Sequence, residues 1–427
     1  MAKPKLALIP STVGGSVYSV LPSNGDGDFN FSRASAATRI NAQGLIETVA
    51  ATDNRLNYPL LDGTVQTCPH LLLEPQRTNL FTYSQSFQGW GESGTNTTTA
   101  QNTAISPDGS LNALKIKGSS DVDNNGLAEF FTISSGVQSY SIFAKAGEIN
   151  IFQVGFGGTF GSTYANVNLS NGVVEVESGQ TTTVNNFGNG WYRITSVATA
   201  TAGSGYWFFN IGNDPSMARN GNYIGNGTDG LYLYGVQTEQ GSYSTSYIVS
   251  NSGLATTRLA EVCNGSGNAS TFNSSEGVLM ANIYTENDNT FNYITISDGG
   301  TSNYCAILIT DTDNEIIFRY YIAGAGVAIT ANVNLSQFNK VLVKYKQNDF
   351  ALWVNGFELG SSNSGNVHSS NVFTELSYAR GSTNTPFYGK TKQLQYFDSA
   401  LTDSELETLT SWMSFSDMAI DLNYTIQ

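Results

Sequence analysis

The feature that most restricts the fold is the period of the side-chain pattern. Segment after segment alternates apolar and polar residues with a period of two, as in SYSIFAKAG (139–147), GVVEVES (172–178), GWYRITSVATA (190–200) and FNKVLVKYKQ (338–347). Such alternation puts successive side chains on opposite faces of a strand, and Gly, Asn and Ser between the segments supply turns. Ser170-Asn171-Gly172 and Asn355-Gly356 are the clearest hairpin signals, because Asn and Gly tolerate positive φ. In LYLYGVQTE (231–239) a strict period of two places Leu231, Leu233, Gly235 and Gln237 on one face, and Tyr232, Tyr234, Val236 and Thr238 on the other.

Composition agrees with an all-β chain. Of 427 residues, 40% are apolar, 12% aromatic and only 12% charged, which suits many short strands better than helices. The formal net charge of −15, with 19 scattered basic residues, argues against a nucleic-acid binder and disfavours anionic membranes. No apolar run reaches the length of a membrane span, and MAKPKLALIPSTVGG lacks the apolar core of a secretory signal. Cys68, Cys263 and Cys305 have no metal-like spacing and read as small buried residues. No repeat of the solenoid or β-helix kind is present.

The polar stretch from Gly241 to Arg258 loosens after the strand 231–239, and a boundary falls there. The strands at 80–258 imply one antiparallel sandwich, and those at 259–427 a second. Residues 1–79 are turn-rich and show little core of their own. Their arginines Arg33, Arg39, Arg55 and Arg77 are expected to pair with carboxylates or with backbone carbonyls. One helix is expected near the end, where Thr402 and Glu405 form a Thr-x-x-Glu capping box before Leu406, Leu409 and Trp412, with Leu401 just ahead.

Three resemblances add to this reading. The segments NGDGDFNFSRASAATRINAQGLIETVA, NRLNYPLLDG and LLLEPQRTNLFTYSQSF resemble the leading region of bacteriophage fibre and tail proteins. Ser106-Pro107-Asp108-Gly109, Gly190-Trp191-Tyr192-Arg193, Gly235 to Gly241, Thr245 to Ile248 and Thr257-Arg258 resemble carbohydrate-binding jelly rolls of phage structural proteins. Phe338 to Leu359, followed by FDSALTDSELETL, resembles concanavalin-like and laminin-G-like sandwiches. Together they imply a virion fibre or spike on the particle surface. Its region 1–79 would join other virion proteins, its jelly roll (80–258) and lectin-like module (259–427) would meet host-surface polysaccharide, and it would assemble as a homotrimer.

Sugar binding needs flat apolar faces flanked by amides or carboxylates. Trp191, Tyr206, Trp207, Tyr232 and Tyr234, with Asn210, Gln237 and Glu239 nearby, offer these groups in the middle sandwich; Trp353 with Asn355, and Tyr378 with Arg380, offer them in the last. The same aromatics also fit a core. Calcium would need clustered oxygens, and Asp311, Asp313 and Asn314, or Asp214 and Asp229, could supply some. Catalysis finds less support. A glycosidase needs paired carboxylates, whereas Glu286-Asn287-Asp288-Asn289-Thr290-Phe291 lacks the third acid of the Glu-x-Asp-x-x-Glu pattern, and neither His70 nor His368 has a nucleophile elbow near it. The alternatives to a glycan-binding fibre are a purely structural or head-decorating fibre and a polysaccharide-degrading enzyme.

Overall fold

A computed structural model describes residues 3–10, 17–92, 97–286, 290–312, 314–413 and 417–418. Among the described residues the fold is all-β, with antiparallel sandwiches and a short helix, Asp403–Thr410. The two sandwiches are not consecutive in the chain.

The middle sandwich packs two six-stranded sheets. One runs in the order 98–105, 111–117, 230–240, 136–145, 191–200 and 181–188; the other runs 91–92, 125–133, 203–212, 151–158, 164–168 and 173–178. Alternate residues of each, among them Ile142, Ile194, Phe152, Val154, Trp207 and Phe209, meet in one dry core.

The terminal sandwich packs an eight-stranded sheet on a five-stranded one. Its long strands come from 276–397, but three short ones come from the other end of the chain. Leu6–Leu8 pairs with Gly389–Phe397, putting Leu6 opposite Tyr396; His70–Leu73 pairs with the same strand further along, putting Leu73 opposite Gly389; and Leu56–Asn57 extends that edge. Leu6, Leu8, Leu71 and Leu73 are almost wholly buried in the core that holds Ile294, Phe318 and Val343. Each such leucine contributes about 1.5–3 kcal/mol by burial. The segment 1–79, read from sequence as a separate loop-rich region, thus lends three strands to this sandwich, and the middle sandwich lies in the chain between those strands and the rest of it. Where the chain departs and returns, Arg77–Asn79 and Thr256–Arg258 pair with each other, so the insertion is closed at its base by its own ladder.

A second correction concerns the strand Gly230–Gln240. Leu231 and Leu233 share a face as expected, and it meets the core, but Val236 joins them there, while Tyr234 packs with Phe143, Trp191 and Tyr247 on the opposite face. The ladder against Gly136–Lys145 skips between Ser141 and Phe143. Gly235, at φ +62°, is the extra residue of a bulge. A strict period of two cannot see this, and the bulge turns Gln237 and Glu239 outward, toward residues 245–248.

The helix starts as its sequence requires. The Glu405 carboxylate accepts the backbone N–H of Thr402 at 3.1 Å. Leu401, Leu406 and Leu409 pack with Met280, Leu342 and Trp353 against the outer face of the eight-stranded sheet, and Trp412 lies past the last turn. Cys263 and Cys305 are buried, but Cys68 is exposed, because it sits in the turn before His70–Leu73. Among the described residues no helix is long and apolar enough to cross a membrane.

Candidate functional site

Where the two sandwiches meet, the loop-rich segments deliver a buried ionic network. Arg33, Arg55 and Glu261 have fully buried side chains. The Glu261 Oε1 atom accepts from Arg33 Nη1 at 2.6 Å and Arg55 Nε at 2.8 Å, and Oε2 accepts from Arg55 Nη2 and from the Glu74 backbone N–H at 2.8 Å. Arg55 Nη1 and Ser246 Oγ donate to Glu74 Oε2 at 2.7 and 2.6 Å, and Arg258 Nη1 lies 2.8 Å from the same oxygen. Arg258 also donates to the Pro75 carbonyl at 2.8 Å. Removing charges from water costs several kcal/mol per ion unless partners and hydrogen bonds replace the water, and here nearly every oxygen is used. Burial alone would raise Glu74, but Arg258, Arg55 and Ser246 hold it far below the ordinary carboxylate range. Burial would lower Arg55, yet Glu261 and Glu74 raise it above the usual arginine value. Beside them Glu239 goes the other way: burial outweighs Arg258 and the bonds from Thr245 and Gln237, and raises its pKa.

Two members of the network, Glu74 and Ser246, line a cleft of about 440 Å³ between the sandwiches. The inserted sandwich contributes Phe143, Arg193 and Thr195, with Thr183, Asn185 and Phe187 at every second position of one strand, so all three point the same way. The terminal sandwich contributes Tyr284, Glu286, Tyr388 and Lys390, and the N-terminal hairpin adds Arg39 and Ile46. Glu286 accepts the Tyr284 hydroxyl at 2.7 Å and lies 3.6 Å from Lys390 Nζ, which stands 3.9 Å from the centre of the Tyr284 ring. Arg39 pairs with Glu47 at 3.1 Å. Arg193 Nη2 donates to Ser141 Oγ at 2.9 Å and to the Thr245 carbonyl at 2.6 Å, with its guanidinium over Phe143, 5.6 Å from the ring centre. Burial lowers the Arg193 pKa, and Glu239, Glu74 and Glu286 offset this only in part. The Arg193 Nε and Ser244 Oγ atoms are buried without a partner among the described residues. The cleft thus combines aromatic faces with hydroxyl, amide and cationic groups, and its volume falls in the roughly 300–1,000 Å³ of small-molecule sites.

The aromatic candidates read from the sequence do not converge here. Trp191 is buried and donates Nε1–H to the Ile105 carbonyl at 3.0 Å. Trp207 is wholly buried in the inserted core, and Tyr234 is buried with its hydroxyl donated to Asp108 at 2.9 Å. Gln237 is buried, accepting the Ile248 N–H and donating to Glu239 at 2.6 Å. Trp353 lies beneath the helix, and Asn355, at φ +54°, shapes a hairpin and donates to Asn339 at 2.8 Å. Five of these side chains are buried, and Asn355 is half-buried in its hairpin turn. Tyr232, under Lys115, and Tyr206, beside the exposed Phe130 at 5.0 Å between ring centres, are half-buried but lie apart from the cleft lining.

Tyr378 is buried, and Asn210 is buried with its amide shared with Gln153 and Asn220. Glu286 is the only one of the carboxylates considered for catalysis that lines the cleft; residues 287–289 of its motif, and Asp313 of the calcium set, lie outside the described residues. Asn314 is spent on Leu335, and Asp214 caps Ser216. Among the described residues no group of three or more His, Cys, Asp or Glu is placed to hold a metal. His70 is buried, its pKa pushed well below the ordinary histidine value by burial and by Lys390 and Lys392. Of the N-terminal arginines, Arg33, Arg39 and Arg55 find carboxylates as expected, while Arg77 bonds the Gln76 carbonyl and covers Tyr243. The cleft residues that sequence reasoning passed over, Asn185, Arg193, Thr195 and Lys390, carried one faint signal: polar side chains at alternate positions of strands whose other positions are core.

No protein-family model matches the chain, and a search of curated proteins finds no match. Among solved structures, the sialic-acid-related module "IT-sialidase CBM40" of Ruminococcus gnavus, bound to α2,3-sialyllactose, matches at 16% identity and TM-score 0.28, covering 32% of this chain and 83% of that one. Domain 4 of the arabinanase AbnA from Geobacillus stearothermophilus, with arabinotriose, matches at 10% identity and TM-score 0.30, covering 36% of this chain and 73% of that one. Mouse laminin α1 domains LG4-5 match at 10% identity and TM-score 0.21, over 66% and 90%. At these scores the likenesses carry no argument about what this chain binds.

Proposed function

We propose that this is a non-catalytic, glycan-binding fibre or spike protein of a bacteriophage particle, and that the cleft between its sandwiches holds the saccharide. The observation that carries the reading is the lining of that cleft: the half-buried rings of Phe187 and Tyr284 offer apolar surface for the C–H side of a sugar ring, while Thr183, Asn185 and Thr195 have side chains that make no hydrogen bond with the described residues. Sugars are held by that pairing of flat apolar faces with convergent polar groups. The virion setting rests on the resemblance of the N-terminal segments to phage fibre and tail proteins, and the homotrimer follows from it, since multivalency raises weak avidity by roughly 10²–10⁴. Native mass spectrometry tests the assembly, and a monomer at micromolar concentration would count against it.

The decisive assay incubates the protein with purified host surface polysaccharide. Retention on immobilised polysaccharide with unchanged chain length is expected. Shortened chains on size exclusion would make it a depolymerase instead. Neither retention nor shortening would favour the structural fibre, a second reading supported by the saturated ionic network that ties the sandwiches together.

A further inference from the structure

We infer that the saccharide taken by the cleft is an acidic one, whose sugar carboxylate is received by Arg193 with Lys390 at the rim; the inference rests on the glycan-binding reading. Of the charged groups around the cleft, Lys390 is only loosely paired with Glu286, at 3.6 Å, and of the arginines all but one are spent on carboxylates. Arg33, Arg55 and Arg258 are bonded to Glu261 and Glu74, and Arg39 to Glu47. Arg193 is bonded only to neutral oxygens, those of Ser141 and Thr245, and its Nε has no partner among the described residues.

The carboxylates near Arg193 are otherwise engaged. Glu74 is held by Arg55 and Arg258. Glu239 sits behind Thr245, taking that residue's N–H at 2.9 Å and its hydroxyl at 2.5 Å, and burial favours its protonated form. Glu286 is held at the rim by the Tyr284 hydroxyl and Lys390. A guanidinium in a part-buried site without a bonded carboxylate is the standard receptor for a planar oxyanion, because its fork matches carboxylate geometry. Phe143 beneath Arg193 restrains the plane of that fork. In a chain of net charge −15 such a cationic position is a local exception, and it lies beside the uncharged hydroxyl and amide groups suited to the rest of the sugar.

The test uses the full chain and a panel of acidic bacterial surface polysaccharides, each intact and after carbodiimide and borohydride reduction of its carboxyl groups to hydroxymethyl groups, together with neutral polymers. Wild-type protein is expected to bind at least one acidic polymer and to lose roughly tenfold or more of its affinity on carboxyl reduction. Arg193→Gln is expected to bind intact and reduced forms alike. Since that variant could disturb the Thr245 segment, Lys390→Gln, with a partly exposed side chain, is measured beside it and is expected to show a smaller loss confined to the intact polymer. Equal wild-type binding of intact and reduced polymer, or binding of neutral polymers alone, overturns the acidic inference and leaves the glycan reading standing. Binding of no polymer at all overturns both.

Discussion

The ionic network and the cleft beside it are built from the same kinds of residue and differ in how completely those residues are satisfied. In the network, three arginines enclose two glutamates, with Ser246 and backbone groups taking what remains. In the cleft, hydroxyls, an amide and one guanidinium keep unused bonding capacity. The contrast separates stability from recognition: a saturated buried network fixes how two bodies sit together, whereas unspent polar groups beside aromatic faces leave something for a ligand to satisfy. Substitutions in the first should therefore lower stability, and substitutions in the second should lower binding.

The largest effect is expected from Glu261→Ala, which leaves Arg33 and Arg55 buried without their shared partner. Breaking a buried pair this way costs about 3–5 kcal/mol, read as a lowered midpoint in urea unfolding. A loss under 1 kcal/mol would show that water reaches the network.

The network should also shape the acid limb of stability. The Glu74 pKa lies below its ordinary value of 4.5 in the folded protein, so its contribution is fully present above 4.5 and is lost as pH falls below that value toward the folded pKa. The raised pKa of Glu239 has the opposite sign, subtracting stability as pH rises above the ordinary glutamate value. Wild-type protein should therefore lose stability in the acid range below 4.5, and Glu74→Gln should be less stable at neutral pH and flatter in acid. A parallel acid limb in both proteins would remove Glu74 from the account.

A smaller effect is expected at the bulge. Gly235→Ala places a Cβ at φ +62° and 3.1 Å from the Phe143 ring, a backbone cost of about 1–2 kcal/mol. Since the bulge aims Gln237 and Glu239 at the junction, the loss should appear in thermal unfolding and be accompanied by weaker polysaccharide retention. Unchanged stability would mean the strand can straighten.

How much of this was legible in the sequence follows from strand length and continuity. The inserted sandwich uses strands such as Gly136–Lys145 and Trp191–Ala200, long enough for the alternation to show, and its neighbours in space lie within one stretch of chain. The terminal sandwich borrows Leu6–Leu8, Leu56–Asn57 and His70–Leu73, and strands of two to four residues carry too little period to reveal, for the first and the last of these, a partner more than 300 residues away. Gly235 hid the phase change in one strand. The capping box at Thr402 was readable because its signal is local. The candidate site was legible only as chemistry. Aromatics in strands were visible, but which of them face solvent depends on the packing of two sheets, and Trp191, Trp207 and Trp353 went to the interior. The residues that line the cleft come from many separated parts of the chain, and no spacing joins Arg39, Arg193 and Lys390.

The central claim, that the cleft is where a saccharide is held, is tested most directly by filling it. Asn185→Trp puts a bulky ring on an exposed cleft position that makes no side-chain bond to the described residues and stands apart from the ionic network. Retention of this variant on immobilised host polysaccharide is to be compared with wild type, with the unfolding midpoint measured on the same samples. Loss of retention at an unchanged midpoint is the expected result; full retention with the cleft filled would contradict the account.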